Sequence, residues 1–264
     1  MKIAVAGACG RMGRRILELA VADGLDIGGA FDVPEAAGTE LTVGSESGKP
    51  RTVVMSKNVA EALAGADALI DFTAPAATLE NVKAAVAAGK PIVIGTTGLS
   101  EAQKAEISAA ASTIPVVLAP NMSVGVNLLF KLTSEVAAIL GLDYNVEIVE
   151  VHHNLKKDSP SGTAVRLAER AAEALGLDYA KDTAHGREGI VGARPARQIG
   201  MHAVRGGDVV GEHTVSFIGN GERVELVHKA HNRDNFARGA LRAARFVATA
   251  KPSLYDMQDV LGLK

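Results

Sequence analysis

The sequence predicts an α/β protein of two parts. The first is a doubly wound parallel sheet covered by helices on both faces; the second is an α+β region built on a mixed or antiparallel sheet. Three observations carry that expectation. Through the first half of the chain, short β-branched runs alternate with Ala-rich helical stretches. The strand candidates are almost continuously apolar, as strands buried on both faces are. After Asn121 the pattern changes to one long helix, alternating strands and glycine-bearing turns.

In chain order, the strand candidates of the first part are Lys2–Gly7, Asp26–Asp32, Thr52–Met55, Ala68–Thr73, Pro91–Gly95 and Pro115–Ala119. Helical periodicity fills Met12–Ala22, Thr78–Ala88 (closed by Gly89) and Glu101–Ala111. In the second part a long helix, Val126–Leu140, leads into the alternating segment Tyr144–His152. A helix starting near Pro160 and an aperiodic Gly-rich stretch, Gly186–Arg194, follow. Two hairpin signals come next, Gly206-Gly207 within Arg205–Asp208 and Asn220-Gly221 within Gly219–Glu222. Around them His213–Phe217 and Val224–His228 alternate as half-buried strands do. The last helix is Asp234–Ala248, with Pro252 shortly after it.

Composition narrows the function classes. A chain of 264 residues with 47% hydrophobic and 22% charged residues is globular and long enough for one large or two modest domains. Aromatics are only 3% and Trp is absent, so the core is expected to be Ala, Val, Leu and Ile. A net charge of -2 lacks the basic footprint of a nucleic-acid binder. The sole cysteine, Cys9, rules out an internal disulfide framework and a multi-cysteine metal site. No unbroken apolar run reaches the ~20 residues of a membrane span, and no signal-peptide pattern opens the chain. The expectation is a protein of a reducing cytoplasm, with no nucleic-acid, membrane or metal partner.

The first strand runs into Gly7-Ala8-Cys9-Gly10-Arg11-Met12-Gly13 and then a helix. Glycines there allow a tight turn, close approach of a pyrophosphate and close helix–strand packing. The helix start adds N–H groups and a positive dipole end. The spacing is one residue longer than the general G-x-G-x-x-G, but Asp32 ends the second strand 19 residues after Gly13, where a ribose-binding carboxylate belongs. The bland alternative is a structural turn beside a solvated Asp32. A second cluster, Gly95-Thr96-Thr97-Gly98, ends a later strand, where such sheets bind ligands. Cys9 reads as a small filler in the loop, not a nucleophile.

The segment from Glu150 to Ala164 is the richest in chemistry. A strand ends in His152-His153; Lys156-Lys157 follow; then a helix begins. Asp158 or Ser159 is expected to cap that helix, with Pro160 in its first turn. The N–H groups of Ser161, Gly162 and Thr163 would then face outward as an anion site. Histidine suits general acid catalysis near neutral pH, and lysine supplies a cation or a second proton. Adjacent strand histidines point to opposite faces, which argues against a shared metal. The bland alternative for each His or Lys alone is a solvated side chain.

His152-His153-Asn154-Leu155-Lys156-Lys157-Asp158-Ser159-Pro160-Ser161-Gly162-Thr163-Ala164 resembles the H-H-x-x-K-x-D-x-P-S-G-T-A signature of the dihydrodipicolinate (4-hydroxy-tetrahydrodipicolinate) reductase family. The likeness extends to Gly7–Gly13, Asp71-Phe72-Thr73, Gly95–Gly98, Asn121, Ser123–Asn127, Arg205–Asp208, Gly211–Val215 and His228-Lys229-Ala230. It implies a Rossmann-like nucleotide domain, residues 1–123 completed by 233–264, and a substrate and oligomerisation domain, residues 124–232. It also implies reduction of a cyclic imine dicarboxylate with NADH or NADPH, on the diaminopimelate route to lysine, by a homotetramer. By the resemblance, His152 is the proton donor and Lys156 a second donor. His153, Gly162 and Thr163 bind substrate carboxylates. Gly7, Ala8, Cys9, Gly10, Arg11, Met12, Asp32, Gly95, Thr96, Thr97, Ala119, Pro120, Asn121 and Met122 line the cofactor. Ser123–Gly125 and Arg233 are the expected hinges. Asp32-Val33 lacks the basic residue that often serves NADPH, so NADH is the expected preference, with Arg11 leaving some NADPH use. Two rival readings are a nicotinamide oxidoreductase for another small acid and a non-catalytic cofactor sensor.

Overall fold

The computed structural model describes residues 1–44 and 50–264. The chain begins β1 (Lys2–Ala6), α1 (Arg11–Ala22), β2 (Asp26–Phe31), β3 (Glu40–Val43), β4 (Arg51–Val54), α2 (Val59–Ala64) and β5 (Ala68–Asp71). It continues α3 (Pro75–Ala88), β6 (Ile92–Ile94), α4 (Glu101–Ala110), β7 (Pro115–Leu118) and α5 (Val124–Leu140). Then come β8 (Asn145–His152), α6 (Gly162–Leu175), α7 (Tyr179–Asp182), β9 (Thr183–His185), β10 (Ile199–Arg205), β11 (Gly211–Ile218) and β12 (Arg223–Ala230). The last elements are α8 (Asp234–Val247), β13 (Ser253–Tyr255) and α9 (Met257–Leu261). The chain forms two compact units, Met1–Val124 with Arg233–Lys264, and Gly125–Asn232.

The first unit holds a parallel six-stranded sheet in the order β13-β7-β6-β5-β1-β2. Its central strands β1, β5, β6 and β7 are mostly apolar and buried because helices cover both of their faces, while the edge strands β2 and β13 are more exposed. Ile3 and Val5 of β1 pack with α1 and α8 on one side. Ala4 and Ala6 pack with α2, α3 and α4 on the other. Helix boundaries follow local chemistry: α3 has Pro75 at its start and the left-handed Gly89 at its end, and a Ser100–Gln103 capping box opens α4. Several findings differ from expectation, the first two being β3 and α2, which the sequence pattern does not mark. The strand at 51–54 stands outside the main sheet, in an antiparallel pair with β3. The sheet gains β13, three residues beside β7, too short to show a period.

The second unit has a mixed sheet, β12-β11-β8-β10-β9. Strand β8 alternates, with Val146, Ile148, Glu150 and His152 turned inward. The apolar pair among them meets Leu167, Ala168 and Ala171 of α6 and Leu129 and Ala137 of α5. The Asn220-Gly221 turn joins β11 to β12 as a hairpin, with Gly221 alone at positive φ, +92°. The Gly206-Gly207 turn is not a hairpin: β8 lies between β10 and β11, parallel to one and antiparallel to the other. Turn chemistry reports a local reversal, and long-range pairing decides the neighbour. With the turn that extends it, α5 runs Val124–Asp143 and is long and apolar enough to cross a membrane by length and composition. Lys131 and Glu135, paired at 3.4 Å, interrupt that span, which is why no unbroken apolar run marks it.

Candidate active site

In the first unit the sheet order reverses at β1: β2 lies on one side, and β5 begins the run on the other. Such a switch point opens a crevice beyond the carboxyl ends of the strands. A cleft of ≈ 530 Å³ lies there, lined by Gly10, Arg11 and Met12 after β1, Phe72 and Thr73 after β5, Gly95–Thr97 after β6, Pro120–Met122 after β7, and Arg233 and Phe236. The turn that feeds it needs its glycines. Gly7 has φ +73°, and a Cβ on it would lie 2.5 Å from the Phe72 carbonyl oxygen. A Cβ on Gly13 would lie 2.1 Å from the Gly7 oxygen. No side chain caps α1 at Gly10, so its first-turn N–H groups are suited to a ligand phosphate.

Asp32 lies against this loop. Its Oδ2 accepts the Cys9 N–H at 2.7 Å and its Oδ1 accepts the Val33 N–H at 2.8 Å. Each oxygen retains a second lone pair. Burial pushes the Cys9 thiol up and the Asp32 charge adds to it, which disfavours a thiolate. Of the residues expected at the cofactor, Gly10, Arg11, Met12, Gly95, Thr96, Thr97, Pro120, Asn121 and Met122 line the cleft. Gly7 shapes the turn, Cys9 and Asp32 flank it, and Ala8 and Ala119 are core residues behind it. Phe72 and Thr73, which belong to the family likeness, Arg233, expected as a hinge, and Phe236 had no expected place at the cofactor. The first two follow a strand beside the switch point, a signal that was there to be used; Phe236 comes from α8, far away in sequence. Beneath them the Thr73 hydroxyl donates to buried Asp71 at 2.6 Å, and the Thr73 N–H donates to Thr96 Oγ1 at 3.1 Å. Burial raises the Asp71 pKa.

The second site is built at the end of β8. Glu150 is completely buried, and both its oxygens are fully engaged. Oε1 accepts the Ser161 N–H at 3.0 Å and Arg205 Nη2 at 2.8 Å; Oε2 accepts Arg205 Nη1 at 2.7 Å and stands 2.6 Å from His152 Nδ1. Burial alone would raise the Glu150 pKa, but Arg205, His152 and the Ser161 N–H outweigh it and hold the carboxyl low. Burial lowers the His152 pKa, against the opposing pull of Glu150. The His213 ring packs edge-on to His152 at 5.3 Å, with Nε2 3.1 Å from Ser161 Oγ. Burial drives the His213 pKa to about 3, so that imidazole is neutral.

The helix start differs from expectation. The N-cap of α6 is Ser161, whose Oγ accepts the Ala164 N–H at 3.1 Å, not Asp158 or Ser159, and Pro160 precedes the helix. The Ser161 N–H is held by Glu150 and is not part of an anion site. Gly162 is the first helical residue, with nothing within 4 Å of where its Cβ would stand. Lys156 Nζ pairs with Asp158 at 2.9 Å, which lowers the Asp158 pKa. His153 lies past the strand end, its N–H donated to the Val209 carbonyl at 2.8 Å, and the Gly206 N–H donates to the His152 carbonyl at 2.9 Å. The Gly206–Val209 turn thus shapes the mouth of the site. Glu150, Arg205 and His213 fall within motifs noted in the sequence but have no role assigned there, because only the sheet register brings them together: His213 sits opposite Glu150, and Arg205 opposite His152.

Comparison with known proteins agrees along the whole chain. Residues 1–122 match the family model described as dihydrodipicolinate reductase, N-terminus, and residues 125–261 match the corresponding C-terminus. The chain is 54% identical over 266 residues to the 4-hydroxy-tetrahydrodipicolinate reductase of Syntrophotalea carbinolica and 53% identical to that of Citrifermentans bemidjiense, in both cases covering 100% of each chain. A solved structure with the same fold is the dipicolinate-bound dihydrodipicolinate reductase from Paenisporosarcina sp. TG-14. It has a TM-score of 0.77 and 24% identity, and covers 98% of each chain.

Proposed function

The chain belongs to the dihydrodipicolinate reductase family, and on that premise we propose how its own residues carry the family's reaction. That reaction is the NAD(P)H-dependent reduction of 4-hydroxy-tetrahydrodipicolinate to tetrahydrodipicolinate with loss of water, in the diaminopimelate route to lysine. When bound, the nicotinamide supplies the hydride. The glycine turn, the uncapped start of α1 and the Thr73–Thr96 floor fit such a cofactor. Gly10–Met12 hold the pyrophosphate, Asp32 accepts from the ribose, and Gly95–Thr97 with Pro120–Met122 bound the remainder.

Addition of hydride to the carbon conjugated with the imine pushes an electron pair onto the substrate, and a proton must meet it. His152 is the proton donor in this reading. The observation that carries it is the 2.6 Å contact from its Nδ1 to a buried, saturated carboxylate, which leaves Nε2 as the working nitrogen. Lys156 exchanges its partner Asp158 for a substrate carboxylate, and serves as second donor. Gly162 and Thr163 receive a carboxylate at the start of α6, and His153 adds a further donor. Asp32 followed by Val33 favours NADH, since a 2′-phosphate there would face a carboxylate with no cation beside it; Arg11 permits some use of NADPH. The reading includes a homotetramer formed through the second unit, whose edge strand β12 leaves its free edge open to pairing. The free Cys9 thiol suits a cytoplasmic location.

The test couples the upstream synthase, which supplies the unstable substrate, to the decay of NADH absorbance. His152→Gln should lower kcat by about 10²-fold or more with NADH affinity near normal. Unchanged turnover would remove His152 from the chemistry.

A further inference from the structure

We propose that Glu150 is a positioning residue that fixes His152 as the Nδ1–H tautomer, so that Nε2 is the nitrogen that gives up the proton, with Arg205 holding Glu150 in place. This rests on the reading of His152 as the donor and says how the fold makes it one.

The argument is one of hydrogen-bond capacity. An ionised carboxylate offers about four lone-pair sites and no donor. At Glu150 those sites meet the Ser161 N–H, two Arg205 N–H groups and His152 Nδ1. Arg205 keeps its charge and cannot accept. Nδ1 must therefore carry a hydrogen whether the imidazole is neutral or charged, and only Nε2 gains or loses one. Nε2 lies over Gly211, where a Cβ would stand 3.0 Å away, so a hydrogen in place of a side chain keeps that edge of the ring open.

The strand pattern explains how the parts meet. Glu150 and His152 share the inward face of β8, two residues apart. Arg205 pairs with His152 from the neighbouring strand and turns its fork onto Glu150. The Ser161 N–H ties the start of α6 to the same carboxylate. One buried group thus sets the orientation of the proton donor and anchors the helix start that receives a substrate carboxylate. The charged and titratable groups around the ring are Glu150 from β8, Arg205 from β10, His213 from β11 and Lys156 from the following loop. Of these only the Glu150 carboxylate favours the imidazolium.

Two measurements test this. The first is nitrogen-15 NMR of the histidine side chains of the wild-type holoenzyme at alkaline pH, with His152 assigned by its loss in His152→Gln. The expected pattern is a protonated Nδ1 and an unprotonated Nε2, and the opposite tautomer would overturn the proposal. The second is the pH profile of kcat/KM for Glu150→Gln. A proton donor must start protonated, so the alkaline limb reports its pKa. Removing the one group that favours the imidazolium should move that limb to lower pH, with kcat down about 10²–10⁴-fold, the range of a lost general acid, and KM for NADH unchanged. Lost activity with an unmoved limb would make Glu150 purely structural and defeat the idea. If Glu150→Gln fails to fold, the wild-type tautomer decides alone. Failure of the donor reading is distinguishable, since His152→Gln would then be active whatever tautomer is found.

Discussion

Ser161 lies at the junction of the helix start and the histidine cluster, and its removal has a calculable cost. Its Oγ makes two contacts: it accepts the Ala164 N–H as the N-cap of α6, and it partners His213 Nε2, both at 3.1 Å. Loss of a serine cap to alanine costs about 1 kcal/mol. His213 is only 4% exposed, and its other ring nitrogen has no partner among the described residues. Without Ser161 Oγ the imidazole is buried with neither nitrogen bonded, which costs about 1–3 kcal/mol more. Ser161→Ala should therefore destabilise by about 2–4 kcal/mol, a melting shift of roughly 5–15 °C for a chain of this size. Glycine separates the two contributions: it caps within a few tenths of a kcal/mol of serine, so Ser161→Gly should retain only the His213 cost. Urea and thermal unfolding of the three proteins measure this. A Ser161→Ala protein within about 0.5 kcal/mol of wild type, the range of an ordinary surface substitution, would refute the reasoning.

Three further outcomes are expected. Gly162→Val places a branched side chain in the open space at the first residue of α6 and should raise the substrate KM sharply without loss of fold; a normal KM would put the carboxylate elsewhere. Wild type should favour NADH in kcat/KM, and Val33→Arg should shift the balance toward NADPH by about 1–2 kcal/mol; a tenfold NADPH preference in wild type would transfer recognition to Arg11. Burial would raise the Glu147 pKa, but Arg187, His202 and Arg194 hold it at about 2, against 4.5 for a free side chain. Because the folded pKa is the lower one, the stabilisation is complete above pH 4.5 and lost as the pH falls toward 2. It amounts to about 2–3 kcal/mol after allowance for solvent at the rim of the cluster. Unfolding free energies from pH 6 to 2 should show that loss in wild type and not in Glu147→Gln.

The parts of the fold legible in the sequence were those where local and global demands agree. Continuous apolar runs such as Ile3–Ala6 fit a covered parallel sheet, and Gly7–Gly13 followed by a helix and Asp32 is a local constellation. The differences have two causes, one long-range and one local. Gly206-Gly207 looks like a hairpin because turn chemistry acts over four residues, whereas the insertion of β8 between β10 and β11 is decided over some sixty residues. Pro160 was read as the first turn of α6, yet Ser161 alone places a hydroxyl where it meets the Ala164 N–H. The 51–54 strand pairs antiparallel with β3, a partner the sequence pattern does not mark.

Strand β8 makes the same point about the site. Its inward row runs Val146, Ile148, Glu150, His152, and a period-two reading says only that these four positions face the core. A carboxylate in such a row costs several kcal/mol unless every lone pair is met, and even a saturated buried ion pair is commonly no more stable than well-packed apolar residues of similar volume. The Glu150–Arg205 pair therefore has no explanation in stability alone. What it supplies in the proposal above is direction: a carboxylate held by four contacts, with one nitrogen of His152 turned onto it. Two alternate positions can be recognised in the sequence as polar where the pattern asks for apolar. Their partners cannot, since Arg205 and His213 arrive from other strands through pairing that no local rule specifies. The departure from the hydrophobic pattern is the legible part of this candidate site, and the sheet register is what assembles the rest of it.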